Sequence, residues 1–160
     1  IPFRERVGRF EESLELLRMA WAGGPIEFHG EYFDVRAVQV TESPTIVPLI
    51  LGGNSDAALE RAVRLGDGWF ASGTPTVDAA LELRHKITDL HAQGPRADEP
   101  FRVIFRVADA EPATIERYAE AGFDEVLIWA DQLWDVDAPV DERADRFADA
   151  AAPLMSGTRR

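Results

Sequence analysis

Two short glycine-bearing loops hold the residues best suited to grip a ligand. Gly52-Gly53-Asn54-Ser55 follows a continuous apolar run, Ile46 to Leu51, and precedes a segment with helical periodicity. Paired glycines let a backbone approach a ligand closely. The N–H groups of a first helical turn, at the positive end of the helix dipole, suit an anion such as a phosphate. The same residues also suit simple capping, with Ser55 as N-cap and Asp56 behind it. Neither the Gly-x-Gly-x-x-Gly pattern nor a P-loop lysine is present, so no dinucleotide or triphosphate fingerprint applies. Ser72-Gly73-Thr74-Pro75 forms the second loop, and its alternative role is a turn in which Thr76 caps the next helix.

Other chemistry-bearing residues are scattered. His29, His85 and His91 have no metal-ligand spacing, and with no cysteine in the chain no metal site is expected. Asp109, Glu111, Asp131, Asp135 and Asp137 follow predicted strands, where acids mostly cap helices or face solvent. Trp129 and Trp134 flank the same rim and could touch a ring-shaped ligand. No metalloprotease, hydrolase-elbow or kinase pattern occurs, and no residue is singled out as catalytic.

The elements that must position these residues alternate. Val7, Phe10, Leu14, Leu17 and Trp21 recur at spacings that keep one helix face apolar over 1–22, ended by Gly23-Gly24-Pro25. Residues 26–40, rich in aromatic and β-branched types and broken by His29-Gly30-Glu31, predict a short hairpin or an irregular β excursion. From 46 to 155 strand and helix alternate four times. The strands are Ile46–Leu51, Asp67–Ala71, Phe101–Val107 and Glu125–Trp129. Between them lie helices with inward Leu59, Ala62 and Val63, then Ala80, Leu83, Ile87 and Leu90, then Ile115, Tyr118 and Ala119. A last helix carries Val140, Ala144, Phe147, Ala148 and Ala151. Such alternation predicts parallel strands joined by right-handed crossovers. Single-striped helices fit the outer ring of a (β/α)8 barrel, of which four units would be half. The chain opens Ile1-Pro2-Phe3-Arg4 without Met, and the expectation is a C-terminal half-barrel, residues 1–160, from something longer.

Composition narrows the partners. The 160 residues carry 17 Lys plus Arg against 29 Asp plus Glu, a net charge of −12. So acidic a surface repels nucleic acid and anionic lipid. No apolar run reaches the ~20 residues of a membrane span. A small-molecule substrate, a cytoplasmic location and a homo-oligomer are expected.

Several stretches, in order, resemble the luciferase-like monooxygenase family of flavin- and deazaflavin-dependent barrel oxidoreductases. They are Arg9-Phe10-Glu11-Glu12 with Leu14 to Arg18 and Ala20-Trp21; Phe28-His29-Gly30-Glu31-Tyr32-Phe33; Pro48 to Ser55; Ala57 to Ala62; and Gly66-Asp67-Gly68-Trp69, with Ala119 to Val126 a later echo. The resemblance implies that 1–22 is the fourth helix of an eight-stranded barrel, 26–40 an insertion, and the four strands the fifth to eighth. It implies that Gly52, Gly53, Asn54 and Ser55 help hold a cofactor phosphate, with Ser72, Gly73 and Thr74 as further cofactor contacts. The implied cofactor is the deazaflavin coenzyme F-420 or FMN. A single lysine, Lys86, among the basic residues suggests GC-rich coding and tilts the choice to the deazaflavin. Thr74 stands where sugar-phosphate dehydrogenases of the family carry lysine, which argues against a phosphorylated sugar. The family's first half, with most of its proton-handling residues, has no counterpart in this sequence. Two other readings stay open: a non-catalytic half-barrel that self-associates, and a flavin-free phosphate-binding barrel enzyme.

Overall fold

The computed structural model describes residues 1–42, 45, 47–123, 125–133 and 136–156. Ser43, Pro44, Ile46, Asp124, Trp134, Asp135 and the tail from 157 lie outside them. Two units succeed one another along the chain, Ile1–Leu49 and a second beginning at Ile50.

In the first unit, a 3-10 turn at Phe3–Glu5 leads into α1, Arg6–Ala22. Gly23 ends it, donating its N–H to the carbonyls of Met19 and Ala20. The predicted hairpin follows as antiparallel β1, Gly24–His29, and β2, Asp34–Val40. Its loop hydrogen-bonds to α1 through Glu12, whose carboxylate accepts the N–H groups of Glu31 (2.7 Å), Tyr32 (2.9 Å) and Phe33 (3.0 Å). Gly30 permits this approach, since a Cβ there would fall 2.3 Å from a Glu12 carboxylate oxygen. The Arg9 guanidinium lies 5.0 Å from the Tyr32 ring centroid, in cation–π contact. Of the apolar face expected on α1, only Leu14 is buried; Val7, Phe10 and Leu17 stay more than a third exposed.

In the second unit β3 (Ile50–Gly52), β4 (Gly68–Phe70), β5 (Arg102–Arg106) and β6 (Val126–Leu127) form one parallel sheet in that order. Helices α2 (Asp56–Leu65), α3 (Val77–Ala92) and α4 (Pro112–Glu120) make the crossovers. The expected α/β alternation with a parallel sheet is therefore present. No barrel closes among the described residues; the sheet is open, with β3 and β6 at its edges.

Register divides the side chains between two faces. Leu51 pairs with Trp69 and Trp69 with Val103, placing them with Phe105 on one face; Ile50, Phe70, Ile104, Arg106 and Leu127 take the other. The first face carries the core. Trp69 and Phe105 meet edge to face at 5.4 Å, Phe105 and Phe123 at 4.8 Å, with Tyr118 5.3 Å beyond. Leu59, Ala62 and Val63 of α2, Ala80 and Ile87 of α3 and Tyr118 of α4 are buried. Each large side chain so buried contributes roughly 1.5–3 kcal/mol. Arg96 braces the base of the sheet, donating to the Gly66 carbonyl (2.5 Å) and to the carboxylates of Asp67 (2.6 Å) and Glu99 (2.6 Å).

Two expectations are corrected. The run from Ile46 does not become a strand along its length, because β3 begins only at Ile50. Pro48 has no N–H to give a ladder, and Ile46 is among the residues not described. The fourth strand shrinks to Val126–Leu127. The last helix, α5 (Val140–Ser156), forms where predicted, yet its stripe is not buried: Val140 is 76% exposed and Phe147 42%.

Candidate functional site

In a parallel sheet every strand ends at the same edge, so the loops after β3 and β4 are neighbours there. The connection is made by Asn54, whose Nδ2 donates to the Ser72 carbonyl (2.9 Å) and whose Oδ1 accepts the Ser72 N–H (2.8 Å). The pairing keeps the register of the strands below. Ile50 pairs with Gly68 and Gly52 with Phe70, and Asn54 meets Ser72 as the next step of two. A carboxamide thus supplies the ladder rung that the departing backbone no longer can.

Around this rung the backbone is fixed. The Trp69 indole N–H donates to the Gly53 carbonyl (2.7 Å). Gly53 has φ +108°, and a Cβ there would lie 2.8 Å from the Ala58 Cβ, so only glycine fits. Gly52 is less constrained, with the Phe70 carbonyl 3.6 Å from where a Cβ would stand. Gly73 has φ +81° and opens onto empty space, no atom lying within 4 Å of an added Cβ. The Tyr118 hydroxyl donates to the Pro75 carbonyl (2.8 Å), and burial raises the pKa of that phenol.

The two helix starts behind the loops differ. Thr76 caps α3, its hydroxyl accepting the Ala79 N–H at 3.3 Å. Ser55 holds the N-cap position of α2 but makes no side-chain bond to the first turn. The capping role open to Ser55 from the sequence is therefore not taken up. Asp56, next in line, is bonded at 2.5 Å by Lys86, which lowers its pKa and offsets its charge at the helix start.

Several other candidates have local surroundings of their own. His29 bonds to Asp34 (2.6 Å) and Glu27 (3.3 Å) in the hairpin. His85 is exposed, and His91 stacks on Phe101. Asp109 accepts the Glu111 N–H in a local turn, and Asp131 is exposed. Trp134 and Asp135 are not described. Among the described residues no three His, Asp or Glu come together as metal ligands. The residue missed in the sequence is Arg106, last in β5, whose guanidinium lies 4.6 Å from the Trp129 ring centroid and 6.0 Å from that of Phe70. A signal existed, since an arginine within the apolar stretch Phe101 to Val107 is unusual for a half-buried strand.

The model of the luciferase-like monooxygenase family matches residues 1–156. The chain belongs to the luciferase-like monooxygenase family. An uncharacterised protein of Mycobacterium tuberculosis is 42% identical over 74 residues, covering 46% of this chain and 25% of that one. The F420-dependent hydroxymycolic acid dehydrogenase of the same organism is 28% identical over 137 residues, covering 82% and 34%. The solved coenzyme F420-dependent tetrahydromethanopterin reductase of Methanopyrus kandleri shares the fold, with TM-score 0.57 and 13% identity over 87% of this chain and 60% of that one. This luciferase-like chain spans a quarter to about a third of the length of the curated relatives it matches. No helix among its described residues is long and apolar enough to cross a membrane.

Proposed function

We propose that this chain is the C-terminal half-barrel of a cytoplasmic oxidoreductase acting on a small molecule, and that its loops hold the phosphate of a deazaflavin or of FMN. The observation that carries the reading is the Asn54–Ser72 rung, which binds two glycine loops together beside a helix start that no side chain caps. Gly52, Gly53, Asn54 and Ser55 would offer backbone and hydroxyl donors to the phosphate, with Ser72, Gly73 and Thr74 beside them. The open space at Gly73 and the uncapped α2 start fit such a group. When bound, the cofactor supplies hydride transfer or oxygen activation; the protein's part is to hold it, orient it and exclude water. The deazaflavin takes precedence because the similar dehydrogenase and reductase are F420-dependent by name, and FMN is the alternative within the family.

Fluorescence titration with coenzyme F420 and with FMN tests the reading. Saturable binding of one of them supports it, and binding of neither overturns it. A second reading, association of two copies, is favoured by the exposed stripe of Val140 and Phe147 on α5.

A further inference from the structure

We propose that Arg106 receives the carboxylate of an apolar substrate at the C-terminal edge of the sheet, held for that purpose between Phe70 and Trp129. The inference rests on the reading that ligands bind at that edge.

The arginines elsewhere show how this chain satisfies a guanidinium. Arg9 is paired with Glu5, Arg96 with Asp67 and Glu99, and Arg102 with both carboxylate oxygens of Glu125. Arg102 and Arg106 share a strand and a face, four residues apart. Yet Arg106 has no carboxylate partner among the described residues, in a chain where acids outnumber bases 29 to 17. Its Nε is buried and makes no hydrogen bond. What it has instead is two aromatic rings, at 4.6 and 6.0 Å from its guanidinium carbon.

Aromatic faces hold the cation in place and strip water from it, yet they leave its in-plane N–H groups unsatisfied. A charge-assisted hydrogen bond formed there is stronger than one in water. The planar fork of donors matches a carboxylate, which can lie in the same plane. The neighbours on that face, Phe70, Ile104 and Leu127, are apolar, as is the Trp129 ring, 54% exposed beyond the strand end. An anion reaching Arg106 must therefore bring an apolar body with it, which describes an aromatic or aliphatic acid.

The test follows the Nε–H signal of Arg106 by 15N NMR as sodium benzoate is added to the chain. The signal is assigned by its loss in Arg106→Gln. The expected result is a saturable shift, with benzoate binding read from tryptophan fluorescence weakened at least tenfold in Arg106→Gln and less in Arg106→Lys. The amide signals of Trp69 and Phe105 report that the variants remain folded. The absence of a saturable shift in the unaltered chain overturns the proposal, as does an equal response to sodium chloride. Inorganic phosphate binding more tightly than benzoate, and being displaced by FMN, overturns it too by giving Arg106 to the cofactor. FMN binding is measured separately. If FMN does not bind but the benzoate shift persists, the cofactor reading falls and the carboxylate site stands.

Discussion

Asn54 is the side chain on which the two candidate loops depend. Its replacement by alanine removes both bonds to Ser72, and with them about 1–2 kcal/mol of stability, measurable by urea unfolding. Cofactor affinity should fall at least tenfold, because the loops then have to be ordered by the ligand itself. His29 gives a different prediction. Hydrogen bonds to Asp34, then to Glu27, raise its pKa, while Arg36 and then His29 lower that of Asp34. The imidazolium's support for the hairpin is complete below the ordinary histidine value of 6.5 and is lost as pH rises through the raised one. The Asp34 contribution is present above its ordinary value and lost as pH falls through the lowered one. NMR titration should therefore place the His29 midpoint above 6.5, and Asp34→Asn should bring it down. At this scale the sequence was half legible. Glycines marked the loops, because few other residues tolerate the positive φ of Gly53 and Gly73. Which partner Asn54 would find, or that Arg106 would lie between two rings, depends on strand register, which no local pattern discloses.

Among the elements, the hairpin loop draws three of its backbone hydrogen bonds from one distant side chain, Glu12. Glu12→Ala leaves three N–H groups of Glu31, Tyr32 and Phe33 without their acceptor. The expected cost is about 1–3 kcal/mol. Hydrogen exchange at those three amides should accelerate while α1 keeps its protection, with Glu12→Gln intermediate because it retains one oxygen. The matching stretches around Arg9–Glu12 and Phe28–Phe33 thus have a structural account that needs no chemistry. The crossover helices and the central strands were readable from apolar spacing, since burial on one side imposes the period, whereas α1 and α5 carry the spacing with most of its large residues exposed. The strand ends were less readable. Pro48 shortened the first strand by withholding an N–H, and the fourth contracted to two residues at the open edge of the sheet.

For the whole molecule, apolar stripes and net charge oppose each other. Val140 and Phe147 on α5 are exposed, which favours association, while a charge of −12 on each copy resists it. Sedimentation should therefore show association that strengthens from low to high salt, as screening weakens the repulsion. Phe147→Asp should keep the chain monomeric throughout. A stable monomer in high salt would remove the paired-copy reading. The rung between Asn54 and Ser72 has a consequence for how the chain tolerates changes of length. Because it continues the pairing of Gly52 with Phe70, the two-residue steps Gly52 to Asn54 and Phe70 to Ser72 are counted as strictly as positions inside a strand. One residue inserted after Gly53 would turn the carboxamide to the other side and separate the loops. Within these two loops the room for an added residue lies at Gly73, after Ser72 and before Pro75 meets the Tyr118 hydroxyl, so that is where a library of altered loops should be built.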